Sequence, residues 1–178
     1  EALTLHEAVP GHHLQIALAQ EMTGQPAFRL GVNFTGYAEG WALYAERLMQ
    51  ELGAYQDDPA GDLGRLQAEA FRAARLVVDT GIHSGVMGFD DAVGFLAEAT
   101  GFGTGYAQRE IVRYSVWAGQ ATAYYTGFLK ILELRQQAMD VLGDAFDLKA
   151  FHRVVIGSGA LPLEVLEDQV AEYLEAAA

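Results

Sequence analysis

Apolar residues recur along most of the chain at intervals of three and four, and few stretches alternate between apolar and polar residues. This pattern is typical of amphipathic helices and predicts a mainly α fold. A strand is predicted only at residues 30–34. Helices are predicted over residues 4–22, with an interruption at Pro10-Gly11, and over residues 36–52, 63–80, 91–99, 106–142, 148–156 and 162–177.

Residues that favour turns and caps predict where these helices begin and end. The sequence Asp57-Asp58-Pro59 indicates a loop over residues 54–61. Asp90 and Asp147 are predicted N-caps, because a short carboxylate side chain accepts hydrogen bonds from the free N–H groups of the first helical turn. A bend is predicted near Gly119.

The chain has 178 residues, of which 51% are hydrophobic, and this size suits a single domain over residues 1–178. Its formal net charge of -13 argues against binding to nucleic acid or to an anionic membrane surface, because both attract clusters of Lys and Arg. No stretch is long and apolar enough to span a bilayer, and the absence of cysteine excludes disulfides and thiol chemistry. Since the first residue is Glu1 rather than Met, we expect the C-terminal part of a longer protein.

Three of the five histidines lie within eight residues, in the sequence His6-Glu7-Ala8-Val9-Pro10-Gly11-His12-His13. Zinc peptidases carry H-E-x-x-H on a helix, where residues four apart share a face and the Glu lies beside the metal-bound water. Here Pro10 occupies the fourth position, and a proline inside a helix removes a backbone hydrogen bond and clashes with the preceding turn. We therefore predict a bulge at Pro10-Gly11 and a metal site with His6 as the first ligand.

The identity of the second histidine ligand depends on the shape of that bulge. In an unbroken helix His12 would point about 240° away from His6, and His13 would lie about 10 Å further along the axis. A bulge that absorbs two residues brings His12 to the position of the usual second ligand. We predict that His12 is the ligand and that His13 belongs to the surroundings of the site, with His13 as the alternative ligand.

A third protein ligand is needed if one position is left for water. Glu39 and Glu46 are seven residues apart, so they share a helix face with Ala42 and Leu43 that is expected to be buried. A buried carboxylate is costly unless it is paired or bound to a metal. We predict that Glu39 is the third ligand and that Glu46 orients a ligating imidazole. The alternative is an amphipathic helix with solvated glutamates.

At these residues the sequence resembles a bacterial family known as domain of unknown function 885. Members of that family carry H-E-x-x-P-G-H-H, which matches residues 6–13, and Y-x-E-G-W-A-L-Y-x-E, which matches residues 37–46. The resemblance covers essentially the whole chain, and it implies a longer protein whose helical N-terminal half is missing here. Shorter matches lie at residues 79–83, 113–114, 119–121 and 159–163.

The sequence is also similar, more distantly, to the thimet oligopeptidase family of zinc peptidases. In that family H-E-x-G-H is followed by a metal-binding Glu, and the similarity places Gly11-His12 on the Gly-His pair and Glu39 on that Glu. It implies a helical zincin-like catalytic domain of the gluzincin type, and it favours His12 over His13. It also implies that Tyr124, in a segment resembling the late tyrosines of that family, contacts the reacting carbonyl.

Four further residues are candidates for contact with the substrate. His83 is predicted in a glycine-flanked loop, where it would stabilise an oxyanion or, alternatively, serve as a capping or surface residue. Arg113 is predicted to pair with a substrate carboxylate, or alternatively with Glu110 one turn earlier. Tyr114 and, through its place in a family motif, Gln120 are also assigned to substrate binding, although aromatic residues at helical spacing usually belong to the core.

Together these residues predict a zinc-dependent hydrolase of peptide or peptide-like amide bonds. Glu7 would act as general base on the zinc-activated water, and Tyr124 or His83 would stabilise the oxyanion together with the metal. One alternative is a non-haem iron enzyme with the same two histidines and one carboxylate, but such an enzyme has no need of Glu7. The other alternative is a non-catalytic scaffold, which would be expected to have lost a ligand or the base.

Overall fold

The computed structural model describes residues 1–177, without the side chain of Leu30, so Ala178 of the predicted domain lies outside the described residues. The described residues form a mainly helical fold without a strand. None of their helices combines the length and the apolar character needed to cross a bilayer. The α-helices are α1 (Ala2–Glu7), α2 (His12–Glu21), α3 (Thr35–Glu51), α4 (Pro59–His83), α5 (Phe89–Thr100), α6 (Thr104–Val116), α7 (Ala123–Leu142), α8 (Leu148–Ile156) and α9 (Leu163–Ala177). Short 3-10 helices lie at Ala27–Gly31, Gln120–Thr122 and Gly143–Ala145.

Most of the predicted helix boundaries agree with the structure. The predicted interruption at Pro10-Gly11 is confirmed, because it separates α1 from α2. Asp147 caps α8 as predicted, and its Oδ1 accepts a hydrogen bond from the backbone N–H of Lys149 at 2.8 Å. The predicted bend near Gly119 is a full break between α6 and α7, because Gly119 adopts a positive φ of 81° that ends the helical path.

The strand predicted at residues 30–34 is wrong. Ala27–Gly31 is a 3-10 helix, and the described residues offer no neighbouring strand with which an extended segment would pair. The N-cap prediction for Asp90 is also wrong, because α5 begins two residues earlier than predicted, at Phe89, and its N-cap is Gly88. Asp90 lies instead in the first turn, where its negative charge interacts favourably with the helix dipole.

Helix α4 is longer at both ends than the sequence predicts. Asp58 caps its N-terminus by accepting a hydrogen bond from the backbone N–H of Gly61 at 2.9 Å, and Pro59 occupies the first helical position. At the other end the helix continues to His83, which therefore terminates a helix instead of lying in a loop.

The helices pack around two hydrophobic clusters. The first cluster lies between α3, α7, α8 and α9, with Trp41, Phe128 and Phe151 among its largest buried side chains. The second cluster lies between α4, α5 and α6, around Phe71 and Leu96. Helix α1 contacts both α3 and α4, so it lies where the two clusters meet.

Helix α3 is the central helix of the fold. Every residue from Gly40 to Glu46 is buried, so this helix contacts other elements on all sides. The Tyr37 hydroxyl donates a hydrogen bond to the backbone carbonyl oxygen of Val155 at 2.9 Å and so joins α3 to α8. A helix that is held on all sides offers rigid positions for functional side chains.

Helices α3 and α7 approach each other closely at glycine residues. A Cβ atom added to Gly40 would lie 2.5 Å from backbone atoms of Gly127. A Cβ atom added to Gly127 would overlap the carbonyl oxygen of Gly36. The absence of side chains at these positions therefore allows direct contact between the two helix backbones.

We predict that Gly127→Ala destabilises the fold by roughly 3 kcal/mol or more, because the added methyl group meets backbone atoms that have no room to move. Gly94→Ala is the matched control, since it lies in α5 with no atom within 4 Å of an added Cβ. It should gain about 0.5–1 kcal/mol from helix propensity. Denaturant unfolding followed by circular dichroism measures both free energies of unfolding. Equal transition midpoints for the two variants would contradict the close approach.

Candidate metal centre

The break between α1 and α2 is fixed by a glycine and a tryptophan. A Cβ atom added to Gly11 would overlap the carbonyl oxygen of His6, so only glycine fits where the chain turns back on α1. Trp41 of α3 donates a hydrogen bond from Nε1 to the carbonyl oxygen of Pro10 at 2.8 Å. As a result, the rings of His6 and His12 lie perpendicular to each other with their centroids 4.8 Å apart.

Three side chains converge at this point. The Nε2 atoms of His6 and His12 lie 3.4 Å and 3.2 Å from the same atom, Oε2 of Glu39. The potential ligand atoms of the three residues all lie within 4.8 Å of one another. His6 is buried, whereas the side chains of His12 and Glu39 are 19% and 18% exposed, so the group is open to solvent on one side. The structure does not bring His13 into this group.

Glu46 orients His6 from the side opposite to this group. The Nδ1 atom of His6 donates a hydrogen bond to Oε1 of Glu46 at 2.8 Å, so Nε2 is the ring nitrogen that faces Glu39. Nη2 of Arg72, on α4, donates to the same oxygen at 3.3 Å. Glu46 is only 1% exposed, so these two donors stabilise a carboxylate that solvent does not reach.

The charges of the group favour a cation at its centre. Burial alone would lower the pKa of His6, but the carboxylates of Glu39 and Glu46 outweigh it, so this pKa is raised above its ordinary value. Burial alone would raise the pKa of Glu39, but hydrogen bonds from His12 and His6 outweigh it and lower that pKa to about 2. A positive charge placed between the three side chains is therefore stabilised by Glu39.

The group lies at the wall of a cleft with a volume of about 650 Å³. Glu7, the last residue of α1, is exposed and lines this cleft together with His12 and Glu39. The other lining residues are neutral polar and apolar side chains and one arginine, Arg29. The structure thus brings the predicted general base and two of the predicted ligands to the same cavity.

Tyr124, at the start of α7, lies on another side of the group. Its ring is stacked on the ring of His6 at a centroid distance of 6.3 Å. The Tyr124 hydroxyl accepts a hydrogen bond from Nε2 of Gln120 at 3.5 Å, and Oε1 of Gln120 accepts one from Nη2 of Arg113 at 3.1 Å. Three of the predicted substrate contacts therefore form one row of polar side chains that ends at His6.

Tyr114 is not part of this row, and it does not lie at a surface that a substrate could reach. It is 1% exposed, and its hydroxyl donates to Oε2 of Glu110 at 2.7 Å and accepts from Nε of Arg75 at 3.0 Å. The guanidinium carbon of Arg75 lies 4.8 Å from the centroid of the Tyr124 ring. These contacts make Tyr114 a residue that positions Arg75 behind Tyr124, because its own ring is enclosed by the second hydrophobic cluster.

His83 lies at the end of α4. Within the described part of the chain, its ring forms no hydrogen bond or ion pair with His6, His12 or Glu39. Its Nδ1 bonds to the backbone oxygen of Asp79 at 2.8 Å and lies 3.1 Å from Oδ1 of that residue. The buried Asp79 carboxylate also accepts a hydrogen bond from the backbone N–H of Gly119 at 3.0 Å. No role is predicted for Asp79 from the sequence. Its spacing of four residues from His83 on a helix is a signal that would have indicated this pairing.

Several comparisons relate this chain to known proteins. The model of the family described as "Bacterial protein of unknown function (DUF885)" matches residues 1–170. The structure of the "putative lipoprotein" from Colwellia psychrerythraea is 50% identical, with a TM-score of 0.95 over 98% of this chain and 30% of that chain. That of a "putative lipoprotein of unknown function" from Shewanella oneidensis is 27% identical, with a TM-score of 0.88 over 96% of this chain and 31% of that chain. The chain thus spans less than a third of these two proteins, and no curated protein matches its sequence.

We predict that binding of zinc requires His12 and not His13. His12→Ala removes one of the three converging atoms, so it should weaken zinc binding by more than the roughly 10–100-fold typical of an outer hydrogen-bonding partner. His13→Ala removes a neighbouring imidazole as a matched control, and it should retain about one zinc ion per chain. Calorimetric titration measures the zinc affinity of each variant, and elemental analysis measures its zinc content. Loss of zinc in His13→Ala, with zinc retained in His12→Ala, would show that the ligand assignment is wrong.

We also predict that Glu46→Gln weakens zinc binding by roughly 10–100-fold, because the amide orients the His6 ring less firmly than the carboxylate does. Glu51→Gln, which changes a more exposed carboxylate on the same helix, should leave the affinity unchanged. The zinc titration is accompanied by circular dichroism, so that a loss of folding is recognised. An unchanged affinity in a folded Glu46→Gln variant would mean that the contact does not support the ligand.

Proposed function

The chain belongs to a bacterial family of unknown function, DUF885, and we propose that it forms the catalytic part of a zinc-dependent hydrolase that cleaves peptide or peptide-like amide bonds. The observation that carries the proposal is the convergence of His6, His12 and Glu39, whose potential ligand atoms lie within 4.8 Å of one another beside a cleft. Two imidazoles and one carboxylate are the protein ligands of one class of catalytic zinc site, in which a position is left for water.

The donor atoms of the group suit zinc. Because Nδ1 of His6 donates to Glu46, the Nε2 atom that faces Glu39 is the nitrogen that would bind a metal once its proton is displaced. The negative charge of Glu39 and the neutral imidazoles match the borderline-soft character of the ion. When bound there, zinc supplies a Lewis acid that polarises a carbonyl oxygen and lowers the pKa of water to about 7.

Glu7 is the general base in this proposal. It follows His6 directly on α1, it is exposed on the cleft wall, and it is not one of the three converging residues. Its carboxylate takes the proton from the attacking water and then passes that proton to the nitrogen of the leaving amine. Water and substrate reach it from the cleft, on the open side of the metal centre.

Tyr124 is the donor that stabilises the negative charge on the reacting oxygen. Its hydroxyl accepts a hydrogen bond from Gln120, so its own proton remains available for donation to that oxygen. The stacking of its ring on His6 supports this role, whereas His83 has no such contact and is the weaker candidate. Arg113 and Gln120 then act by orienting the Tyr124 hydroxyl.

An amide substrate is supported by the lining of the cleft. Gln20 and Asn33 line it, and their side-chain amides both donate and accept hydrogen bonds, as a peptide backbone requires. A non-haem iron oxygenase with the same ligands would have no use for a carboxylate at Glu7. The position of Glu7 on the cleft therefore favours hydrolysis over that alternative, and the complete set of ligands and base argues against a non-catalytic scaffold.

We predict that Glu7→Gln in the full-length protein lowers peptide hydrolysis by roughly 10²–10⁴-fold, because the amide keeps the size of the side chain but accepts no proton. Zinc binding should remain, since Glu7 is outside the converging group. Glu98→Gln, an exposed change on α5, is the matched control and should keep both activity and zinc. Peptide cleavage followed by mass spectrometry and zinc analysis of the same samples provide the measurements.

Two results would contradict the proposal. If Glu7→Gln loses zinc, Glu7 belongs to the ligand set and the assigned ligands are wrong. If the purified parent protein contains iron at full occupancy, or if Glu7→Gln retains full activity, the chemistry is not the hydrolysis proposed.

A further inference from the structure

Arg29 lines the cleft beside the metal centre. Among the described residues that line this cleft, it is the only one with a permanent positive charge. Three hydrogen bonds hold its guanidinium group in place. Nη2 donates to the backbone carbonyl oxygens of Ser158 at 2.8 Å and Ala160 at 3.3 Å, and Nη1 donates to Oε1 of Gln25 at 3.2 Å. The side chain is therefore fixed in direction, although it belongs to a short segment between α2 and α3.

These hydrogen bonds position the guanidinium group without neutralising it. All three acceptors are uncharged oxygen atoms, and the described residues place no carboxylate in an ion pair with Arg29. A guanidinium group has five N–H donors, so some of them remain available after three bonds are made. Because a half-buried charge without a counter-charge is unfavourable, the arrangement suits an anionic ligand, and the N–H groups left on Nε and Nη1 can donate to a carboxylate oxygen.

The other charged residues that line the cleft are carboxylates, so among the described lining residues only Arg29 attracts an anion. Glu7 and Glu39 line the cleft, and the whole chain has a net charge of -13. An anionic group of a substrate is therefore repelled by most of this surface, and Arg29 provides the compensating charge.

A second polar group of the cleft lacks a partner. Nε2 of Gln15 is buried and has no hydrogen-bond partner among the described residues. Gln15 lies on α2, three residues after His12, and it lines the same cleft as Arg29. Gln15 therefore adds an unsatisfied hydrogen-bond donor to the surroundings of the cleft.

We propose that Arg29 binds a carboxylate group of the substrate, so that the enzyme selects peptides that are anionic close to the cleaved bond. This inference rests on the proposed hydrolase function and adds a substrate class to it. A cleft of about 650 Å³ accommodates roughly two or three extended residues at about 3.5 Å each. The carboxylate therefore belongs to the C-terminus of a short substrate or to an acidic side chain within that distance, and both sources share the same chemistry.

The test measures binding rather than cleavage, in the zinc-loaded full-length protein carrying Glu7→Gln. Three probes are compared by calorimetry: acetyl-trialanine as the free acid, its C-terminal amide, and an amidated acetyl-Ala-Glu-Ala peptide. We expect at least one carboxylate-bearing probe to bind about 10- to 100-fold more tightly than the neutral amide, as charge-assisted hydrogen bonds allow. Tight binding of the free acid alone assigns the carboxylate to the C-terminus, and tight binding of the glutamate peptide assigns it to a side chain.

Arg29→Gln in the same background should abolish the preference while leaving the affinity for the neutral amide within about twofold. Arg109→Gln is the matched control, because it removes an exposed arginine that does not line the cleft, and it should keep the preference. Arg29→Lys should restore part of it, since the charge is kept but the fixed direction of the guanidinium donors is lost.

Three outcomes would overturn the inference: equal binding of all probes, a preference that survives Arg29→Gln, or an equal loss of affinity for all probes in that variant. The last outcome would mean that Arg29 only joins its segment to the residues around Ser158. A carboxylate preference that depends on Arg29, found when the parent protein with Glu7 intact shows no peptidase activity, would support the inference and contradict the proposed hydrolase function alone.

Discussion

Glu46 is a carboxylate that solvent barely reaches, and two donors from different helices meet on one of its oxygen atoms. His6 donates from α1 and Arg72 donates from α4, while Glu46 itself belongs to α3. Removal of His6 or Arg72 would leave the buried Glu46 carboxylate without one of its donors. This is strongly unfavourable, because a buried charge needs its counterpart. The same atom therefore holds three helices together and sets which nitrogen of His6 faces the candidate metal site.

The packing of the central helix determines how precisely the site is built. Helix α3 is buried on all sides between Gly40 and Glu46, so Glu39 and Glu46 extend from a backbone that has little freedom to move. The contact of Gly40 with Gly127 brings α7 against α3. Because Tyr124 lies three residues before Gly127, the same approach places its ring beside His6. Side chains held in this way lose little conformational entropy when they bind a ligand or a metal ion.

Local chemistry explains which parts of this arrangement are predictable from the sequence. The break at Pro10 follows from a missing N–H and a steric clash, so both the bulge and the group at His6 and Glu39 are predictable from spacing. The prediction of a strand at residues 30–34 is wrong. A strand needs a neighbouring strand to pair with, and a short apolar run does not show whether one exists. His83 ends α4 because glycines nearby do not by themselves stop a helix. Arg29 gives no signal, since two of its three acceptors are backbone oxygens about 130 residues away, and only the folded chain brings them together.

Gly11 has a consequence for the evolution of this family. It binds no metal and touches no substrate in the proposed chemistry, yet any larger residue there would displace the carbonyl oxygen of His6. A member that drifts away from glycine at this position would misalign its first imidazole while keeping every ligand in its sequence. Such a paralogue would retain His6, His12 and Glu39 but would hold them in a geometry less suited to a metal ion. The residue at position 11 is therefore as informative about the geometry of the candidate metal centre as the histidines themselves.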